Sequence, residues 1–240
     1  MLNKLILFII IITDHFHKKK IVKFFKKKKL INFNCIFDIG AHKGETIKFF
    51  LKNFEFEKIY SFEPIPETFE LLKKNINLLS NFKKKKIVLE NSAVGSAETK
   101  ISIKQMVESS SSTIRDINQN SKYFNKKKKL LYFSKDDFFK KIDVNQITLN
   151  KYTKINSIEK IDFLKIDTEG YELDVLIGLE NKIEKVRFIL FEHHYHDMIR
   201  KNYTFSDINY FLLKNNFMQI YKSKMPFRKT FEYIYEQKPN

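Results

Sequence analysis

From residue 34 onward, short apolar runs alternate with segments whose apolar residues recur at helical spacing. Asn34–Asp38 is a short apolar run and reads as a buried parallel strand. Ile47, Phe50, Leu51 and Phe54 share one helical face, so a helix follows Gly44. Lys58–Phe62 predicts the next strand, ending at Glu63, and Pro64 and Pro66 set up a helix start. Phe69, Leu72, Ile76 and Leu79 line that helix, with Glu70 and Lys74 supporting it at i,i+4. Ile87–Leu89 predicts a third strand, leading into Asn91-Ser92-Ala93-Val94-Gly95.

The stretch from Thr99 to Asn156 is less regular. Ile101 and Ile103 alternate with polar residues as in an exposed strand, and Glu108–Thr113 is a serine-rich turn. Lys126–Phe133 and Gln146–Leu149 read as short strands. Regular alternation then returns. Ile161–Ile166 is a buried strand ending at Asp167, and Leu173, Leu176 and Ile177 mark a helix. Val186–Phe191 is a strand running into Glu192-His193-His194. Thr204-Phe205-Ser206-Asp207 has the form of a capping box, and Ile208, Phe211 and Leu212 continue the helix it starts. Phe217–Tyr221 and Phe231–Tyr235 form a closing pair of strands. This order predicts an α/β fold: a mainly parallel sheet, helices on both faces, and an antiparallel hairpin at one edge.

Length and composition fit that picture. The 240 residues suit one large domain, 33–240, preceded by an N-terminal arm, 1–32. A hydrophobic share of 43% with 25 Phe excludes overall disorder. The single cysteine, Cys35, excludes an intramolecular disulfide and a Cys-rich zinc site, and fits a reducing cytosol. Net charge is +17, of which residues 1–30 carry +8. Lysine comes in runs at 18–20, 26–29, 83–86 and 126–129. Such runs are solvated surface, or they attract an anion: an acidic membrane, an acidic glycan or nucleic acid. The apolar run Leu5–Ile12 is too short to span a bilayer, which takes ~20 helical residues. It fits a peripheral contact of residues 1–30 with the inner membrane surface, and equally a segment packed on the domain.

In open α/β sheets, ligands bind beyond the carboxyl ends of the strands. The predicted strand ends are Asp38, Glu63, Asn91, Asp167 and Glu192. Gly40 and Gly44 follow the first of them in a G-x-x-x-G spacing, unlike the dinucleotide fingerprint G-x-G-x-x-G. An acid before the turn favours a cationic ligand group. Glu63, at the next strand end, is placed to hold a ribose diol. An adenosine-like, positively charged ligand without phosphates meets both demands, and S-adenosylmethionine is such a ligand.

The segments Phe37–Gly44, Phe62–Pro66, Ala93–Gly95 and Asp162–Glu172, the last reading Asp-Phe-Leu-Lys-Ile-Asp-Thr-Glu-Gly-Tyr-Glu, resemble the FkbM family of S-adenosylmethionine-dependent methyltransferases. The match spans residues 34–194, and Lys165–Glu172 is its most discriminating part. The resemblance implies a Rossmann-like methyltransferase fold with a seven-stranded sheet and a reversed last strand. It also implies methylation of hydroxyls, often on sugars or glycosylated small molecules. By position, Asp38, Gly40, Ala41, His42 and Gly44 would line the methionine end of the cofactor, Glu63 would hold the ribose, and Asn91, Ser92 and Ala93 would lie near the adenine. Family members often carry Asn at the position of His42 and Thr-Leu-Asp where this chain has Thr148-Leu149-Asn150.

An alcohol acceptor gains from a base; Asp167, Glu169, His193 and His194 are the candidates, and Asp167 and Glu169 are the expected acceptor-site groups. Gly170 would hold their turn, and Glu172 reads as a first-turn helix acid. Glu192, His194 and His196 would share one face of a strand and His193 the other. A metal site, an acceptor contact and a polar loop all fit that cluster, and no metal is assigned. Ser109–Ser112 reads as an acceptor lid or a plain turn. The expected partner is a carbohydrate or glycosylated acceptor. An RNA-directed methyltransferase or RNA-binding protein is the alternative that the lysine runs raise, although no RNA-recognition motif accompanies them.

Overall fold

A computed structural model describes residues 2–106, 112–131 and 139–239. Helix α1 (Leu2–Lys27) leads into strand β1 (Asn32–Ile39), helix α2 (Glu45–Asn53), strand β2 (Glu55–Phe62), helices α3 (Pro66–Asn77) and α4 (Asn81–Lys84), and strand β3 (Ile87–Glu90). The irregular middle holds β4 (Ala93–Val94), β5 (Thr99–Met106), β6 (Asp116–Ile117), α5 (Lys122–Leu131), β7 (Phe139–Ile147) and α6 (Leu149–Ile155). The second half runs β8 (Ile161–Ile166), α7 (Glu172–Ile177), a 3₁₀ turn (Glu180–Lys185), β9 (Val186–His194), β10 (Ile199–Arg200), α8 (Phe205–Lys214), β11 (Phe217–Lys224) and β12 (Thr230–Gln237).

The main sheet has seven strands in the order β3-β2-β1-β8-β9-β12-β11. β3, β2, β1, β8 and β9 pair in parallel, while β12 runs antiparallel to both β9 and β11. This is the predicted mainly parallel sheet with a reversed last strand. Each central strand feeds both sides. In β1, Phe37 and Ile39 enter one core layer with Leu164, Ile166, Val175 and Tyr233. Ile36 and Phe33 enter the other with Phe50, Phe163 and Phe188. The fully buried Phe and Tyr side chains of these layers dominate the apolar area removed from water.

The α1 helix joins the second layer. Ile21, Val22 and Phe25 are buried there, and Phe25 meets the rings of Phe33, Phe54, Phe163 and Phe188 edge-on. The apolar run Leu5–Ile12 lies within the same helix. Among the described residues, no helix is long and apolar enough to cross a membrane.

The middle region departs from expectation. Lys126–Phe133 is not a strand: residues through Leu131 belong to α5, and Tyr132 and Phe133 lie outside the described residues. Helix wins because Ser121 caps it, its hydroxyl accepting from the Phe124 amide at 3.0 Å, and because Phe124 packs on Met106, Met198 and Ile199. Gln146–Leu149 is likewise divided. Gln146 and Ile147 end β7, and the Thr148 hydroxyl accepts from the Lys151 amide to start α6. Of the proposed lid, Ser109–Ser111 lie outside the described residues, while the Ser112 hydroxyl accepts from the Met106 amide at 3.2 Å. Gly178, the residue after α7, is set by a close approach: a Cβ there would lie 2.0 Å from the Gly95 carbonyl oxygen.

Because α1 supplies part of the core, removing residues 1–30 strips apolar cover from the sheet as well as positive charge. Phe25→Ala should lower unfolding free energy by about 3–5 kcal/mol in urea denaturation. Lys19→Gln, an exposed position on the same helix, should leave it within about 0.5 kcal/mol.

Candidate active site

Register puts the chemistry on one edge. Ile39 pairs with Phe62 and Ile166, Phe62 with Glu90, and Ile166 with Phe191. The residues that follow, Gly40, Glu63, Asn91, Asp167 and Glu192, therefore emerge side by side at the carboxyl end of the sheet.

After β1 the chain turns sharply. Gly40 has φ +83°, and a Cβ there would lie 1.9 Å from the Asp167 carbonyl oxygen, so only glycine lets β1 and β8 end this close. His42 is left-handed too, at φ +48°. Asn and His are among the side chains that tolerate this region. The His42 amide donates to Glu63 Oε2 at 2.9 Å and the Ile65 amide to Oε1 at 3.0 Å. Glu63 is thus fixed by backbone on both sides, with acceptor capacity left on each oxygen. Burial pushes its carboxyl up to about 7, against the pull of those two amides. Gly44, at φ +89°, ends the turn and stands at the N-terminus of α2.

One step below the edge lies a buried polar row. Asp38 pairs in register with Ser61 on one side and Lys165 on the other. Asp38 and Ser61 are fully buried, and neither Asp38 oxygen nor the Ser61 hydroxyl has a hydrogen-bond partner among the described residues. The Lys165 ammonium is 3.3 Å from Asp38 Oδ1 and 3.3 Å from Asp167 Oδ2. Burial raises the Asp38 carboxyl and Lys165 pulls it back. Burial would lower Lys165, but Asp38, Asp167 and Glu192 outweigh it and raise it. Lys165 is therefore the fixed positive charge under the site. Glu192 is driven well above the usual carboxylate range by burial and then by Asp167, Glu232 and Glu169, with Lys165 opposing.

Beyond Asp167 the chain makes a second left-handed turn, Glu169 at φ +51° and Gly170 at φ +98°. Glu172 braces it: its Oε1 accepts from the Gly170 amide at 2.9 Å, and Tyr203 donates to its other oxygen. The middle region grips the turn from outside. The Thr113 hydroxyl donates to the Glu169 carbonyl at 2.7 Å, and Arg115 Nε to the Gly170 carbonyl at 3.1 Å. The Glu169 carboxylate lies 3.2 Å from His194 Nε2, and His194 Nδ1 is 2.9 Å from the Thr230 hydroxyl. His194 thus lies within ion-pair range of Glu169 and is held from behind by Thr230.

These edges open on a cavity of about 1680 Å³. Gly40, Ala41, His42, Glu63, Ser92, Ala93, Asp167 and Glu169 line it. Asp38 lies behind the wall, and Gly44 is outside the lining. Asn91 is exposed, its amide donating to the carbonyls of Glu63 at 2.8 Å and Pro64 at 3.1 Å. Asn150 is also away from the cavity, with its side-chain amide donating to Glu180. The face alternation read for β9 is realised: Glu192, His194 and His196 line the cavity. His193 faces away and is pushed down to about 3 by burial and by Lys201. His196 stacks on Tyr123 at 4.1 Å, and among the described residues no three metal-ligating side chains form a group.

Two parts of the cavity were not foreseen from sequence. Lys165 links the two strand ends, and its trace in sequence is a lone lysine inside the apolar run Ile161–Ile166. The α1 helix also supplies a wall through His17, Lys18 and Ile21. His17 Nε2 sits 2.5 Å from Glu232, and its Nδ1 is 3.4 Å from the Ser223 hydroxyl, which ties the helix to β11 and β12.

The fold is shared with solved methyltransferases. An FkbM methyltransferase from Methylobacillus flagellatus KT superposes with a TM-score of 0.54 at 16% identity over 84% of this chain. The present chain spans only 43% of that protein's length. The magnesium protoporphyrin IX methyltransferase of Synechocystis PCC 6803, solved with bound S-adenosylmethionine, gives 0.53 at 7% identity over 95% of this chain and 81% of its own. TrmK of M. capricolum, in complex with S-adenosyl-homocysteine, gives 0.51 at 14% identity over 92% and 68%. No curated protein matches the chain. The family model of the methyltransferase FkbM domain matches residues 38–218, from the buried acid of β1 to the start of β11. With that match over most of its length, the chain belongs to the FkbM family of S-adenosylmethionine-dependent methyltransferases.

Proposed function

We propose that this protein transfers the methyl group of S-adenosylmethionine to a hydroxyl of a sugar, in a glycan, glycolipid or glycosylated small molecule. The observation that carries the reading is the meeting of the Gly40–His42 turn, Glu63 and the Asp167–Glu169 turn in one cavity. The residues fit the cofactor. Glu63 is 5% exposed, immobilised, and keeps spare acceptor capacity for two ribose hydroxyls. Ser92 and Ala93 lie beside it for the adenine. The floor carboxylates Asp167 and Glu169 suit a cationic sulfonium.

When bound, the cofactor supplies an electrophilic methyl group whose sulfur leaves as a neutral thioether. The chain's task is then to place a hydroxyl oxygen and to take its proton. Orientation of this kind supplies ~7–11 kcal/mol. Glu169 receives the proton, oriented by His194, which Thr230 holds from behind. Asp167, pinned by Lys165, accepts a hydrogen bond from the acceptor. The cavity exceeds the ~300–1,000 Å³ of an ordinary small-molecule site, as a pocket for cofactor and acceptor together should.

Calorimetry with S-adenosylhomocysteine tests the cofactor half: folded protein that does not bind it defeats the reading. Transfer of labelled methyl groups to surface glycans of the producing cell tests the acceptor half, and labelling of RNA in preference to glycans would favour the alternative.

Two further outcomes are expected. A carboxylate accepts from both ribose hydroxyls only when ionised, so cofactor binding should strengthen as pH rises through about 7. The dissociation constant for S-adenosylhomocysteine at pH 6 should be about tenfold that at pH 8. Glu63→Gln should bind weakly with a flat profile, and a flat wild-type profile would count against Glu63 as the ribose ligand. Glu169→Gln should cut kcat by ~10²–10⁴ while S-adenosylhomocysteine affinity stays within about twofold. Asp167→Asn is read in the same assay. A loss of affinity as large as the loss of rate would place these carboxylates in cofactor binding instead.

A further inference from the structure

The charges that line the cavity are sorted by element. The strand ends and the turns after them bring the carboxylates Glu63, Asp167, Glu169, Glu192 and Glu232. The peripheral elements bring cations: Lys18 on α1, Lys122 and Lys126 on α5, and Arg228 and Lys229 on the β11–β12 connection. Three residues depart from this sorting: Lys165, a cation on β8 held between Asp38 and Asp167, Glu45, which pairs with His42 at 3.3 Å, and Asp197 after β9. Lys104, Lys140 and Lys151 elsewhere on the surface meet carboxylates. Lys18, Lys122 and Lys126 pair with none among the described residues.

An aromatic feature lines the same cavity. Phe227 is 82% exposed and held at φ +60°, in the left-handed region where a bulky residue is strained. It lines the cavity, as does Tyr123, which is stacked on His196. A strained ring left 82% exposed has no packing purpose within the chain, and it lines the same cavity as the unpaired lysines. Aromatic faces receive the C–H faces of sugar rings, and lysines receive oxyanions as point charges.

We infer that the acceptor is an anionic sugar, whose phosphate or carboxylate group is held at the cavity mouth by Lys18, Lys122 and Lys126 while its ring lies against Phe227. The inference rests on the proposed methyl transfer to a sugar and names the acceptor's charge. An RNA strand is the less favoured occupant. Single-stranded RNA is gripped along an extended basic groove, whereas these cations come from separate elements that line one cavity. The run Lys83–Lys86 lies apart, at α4, and outside the lining.

The test uses the full chain saturated with S-adenosylhomocysteine and titrated with glucose, glucose 6-phosphate and glucuronate. Both anionic sugars should bind at least about tenfold more tightly than glucose, with the advantage shrinking as salt rises. A phosphate-only preference would identify a phosphosugar, and a preference shared with glucuronate a general oxyanion site. The triple variant K18Q/K122Q/K126Q should lose the preference but keep S-adenosylhomocysteine affinity within about twofold, which also reports that it is folded. Phe227→Ala should weaken all three sugars alike. The inference is overturned if glucose binds as well as the anions, if neither anion binds up to about 10 mM, or if the triple variant keeps the preference. It is equally overturned if a single-stranded RNA outcompetes the sugars in a lysine-dependent way. Failure of the methyltransferase reading would look different: the wild-type chain would not bind S-adenosylhomocysteine at all.

Discussion

The site depends on how closely the ends of β1 and β8 approach. Gly40 lies against the Asp167 carbonyl with no room for a Cβ, and the Asp167 amide donates to the Ile39 carbonyl at 2.9 Å. Backbone contact of this kind fixes the distance between the Gly40–His42 turn and the Asp167–Gly170 turn. Lys165 then reaches across the seam to both Asp38 and Asp167. A buried carboxylate is costly unless it is paired, and Lys165 is what makes Asp38 tolerable under the site. Removing that one ammonium would leave two neighbouring acids to repel each other.

This arrangement places charge where the apolar layers can hold it rigid. Asp38 sits in the same face as Ile36 and next to α2 and α1, whose Phe50 and Phe25 are fully buried. Side chains packed in this way leave the polar row little freedom to reorganise. A preorganised field is the form in which electrostatics helps a transfer reaction, because it costs nothing to align at the moment of reaction. The α1 helix contributes twice, as apolar cover over the sheet and, through His17 and Glu232, as one wall of the cavity.

Much of this was legible from sequence, and the reasons are local. Parallel strands buried on both faces appear as continuous apolar runs, so Ile161–Ile166 could be bounded to the residue. Period-two alternation correctly sorted Glu192, His194 and His196 from His193. The capping box at Thr204 and Asp207 is present as read. What escaped depends on tertiary context. The Lys-rich stretch of α5 carries few apolar residues, and its helix is decided by the Ser121 cap and by Phe124 meeting Met198 from a distant segment. Asn91 stands where a ligand contact is expected, yet its side chain is spent on the Glu63 and Pro64 carbonyls. The partner of Lys165 could not be read without the register of β1 against β8. Gly178 needed the knowledge that Gly95 passes beside it.

The sorting of charge between floor and rim has a consequence for orientation. A negatively charged acceptor is attracted by the lysines of α1 and α5 and repelled by the carboxylates of the strand ends. It minimises its energy by leaving its anionic group at the mouth and sending its neutral part inward. The neutral part of a sugar is its hydroxyls, and the cavity-lining Glu169 and Asp167 are the more buried charges, with side chains 15% and 30% exposed. A uniformly basic pocket would bind the same molecule in several poses, with its anion competing for the floor. A uniformly acidic one would reject it. Polarity along one axis aligns the acceptor before any specific hydrogen bond forms.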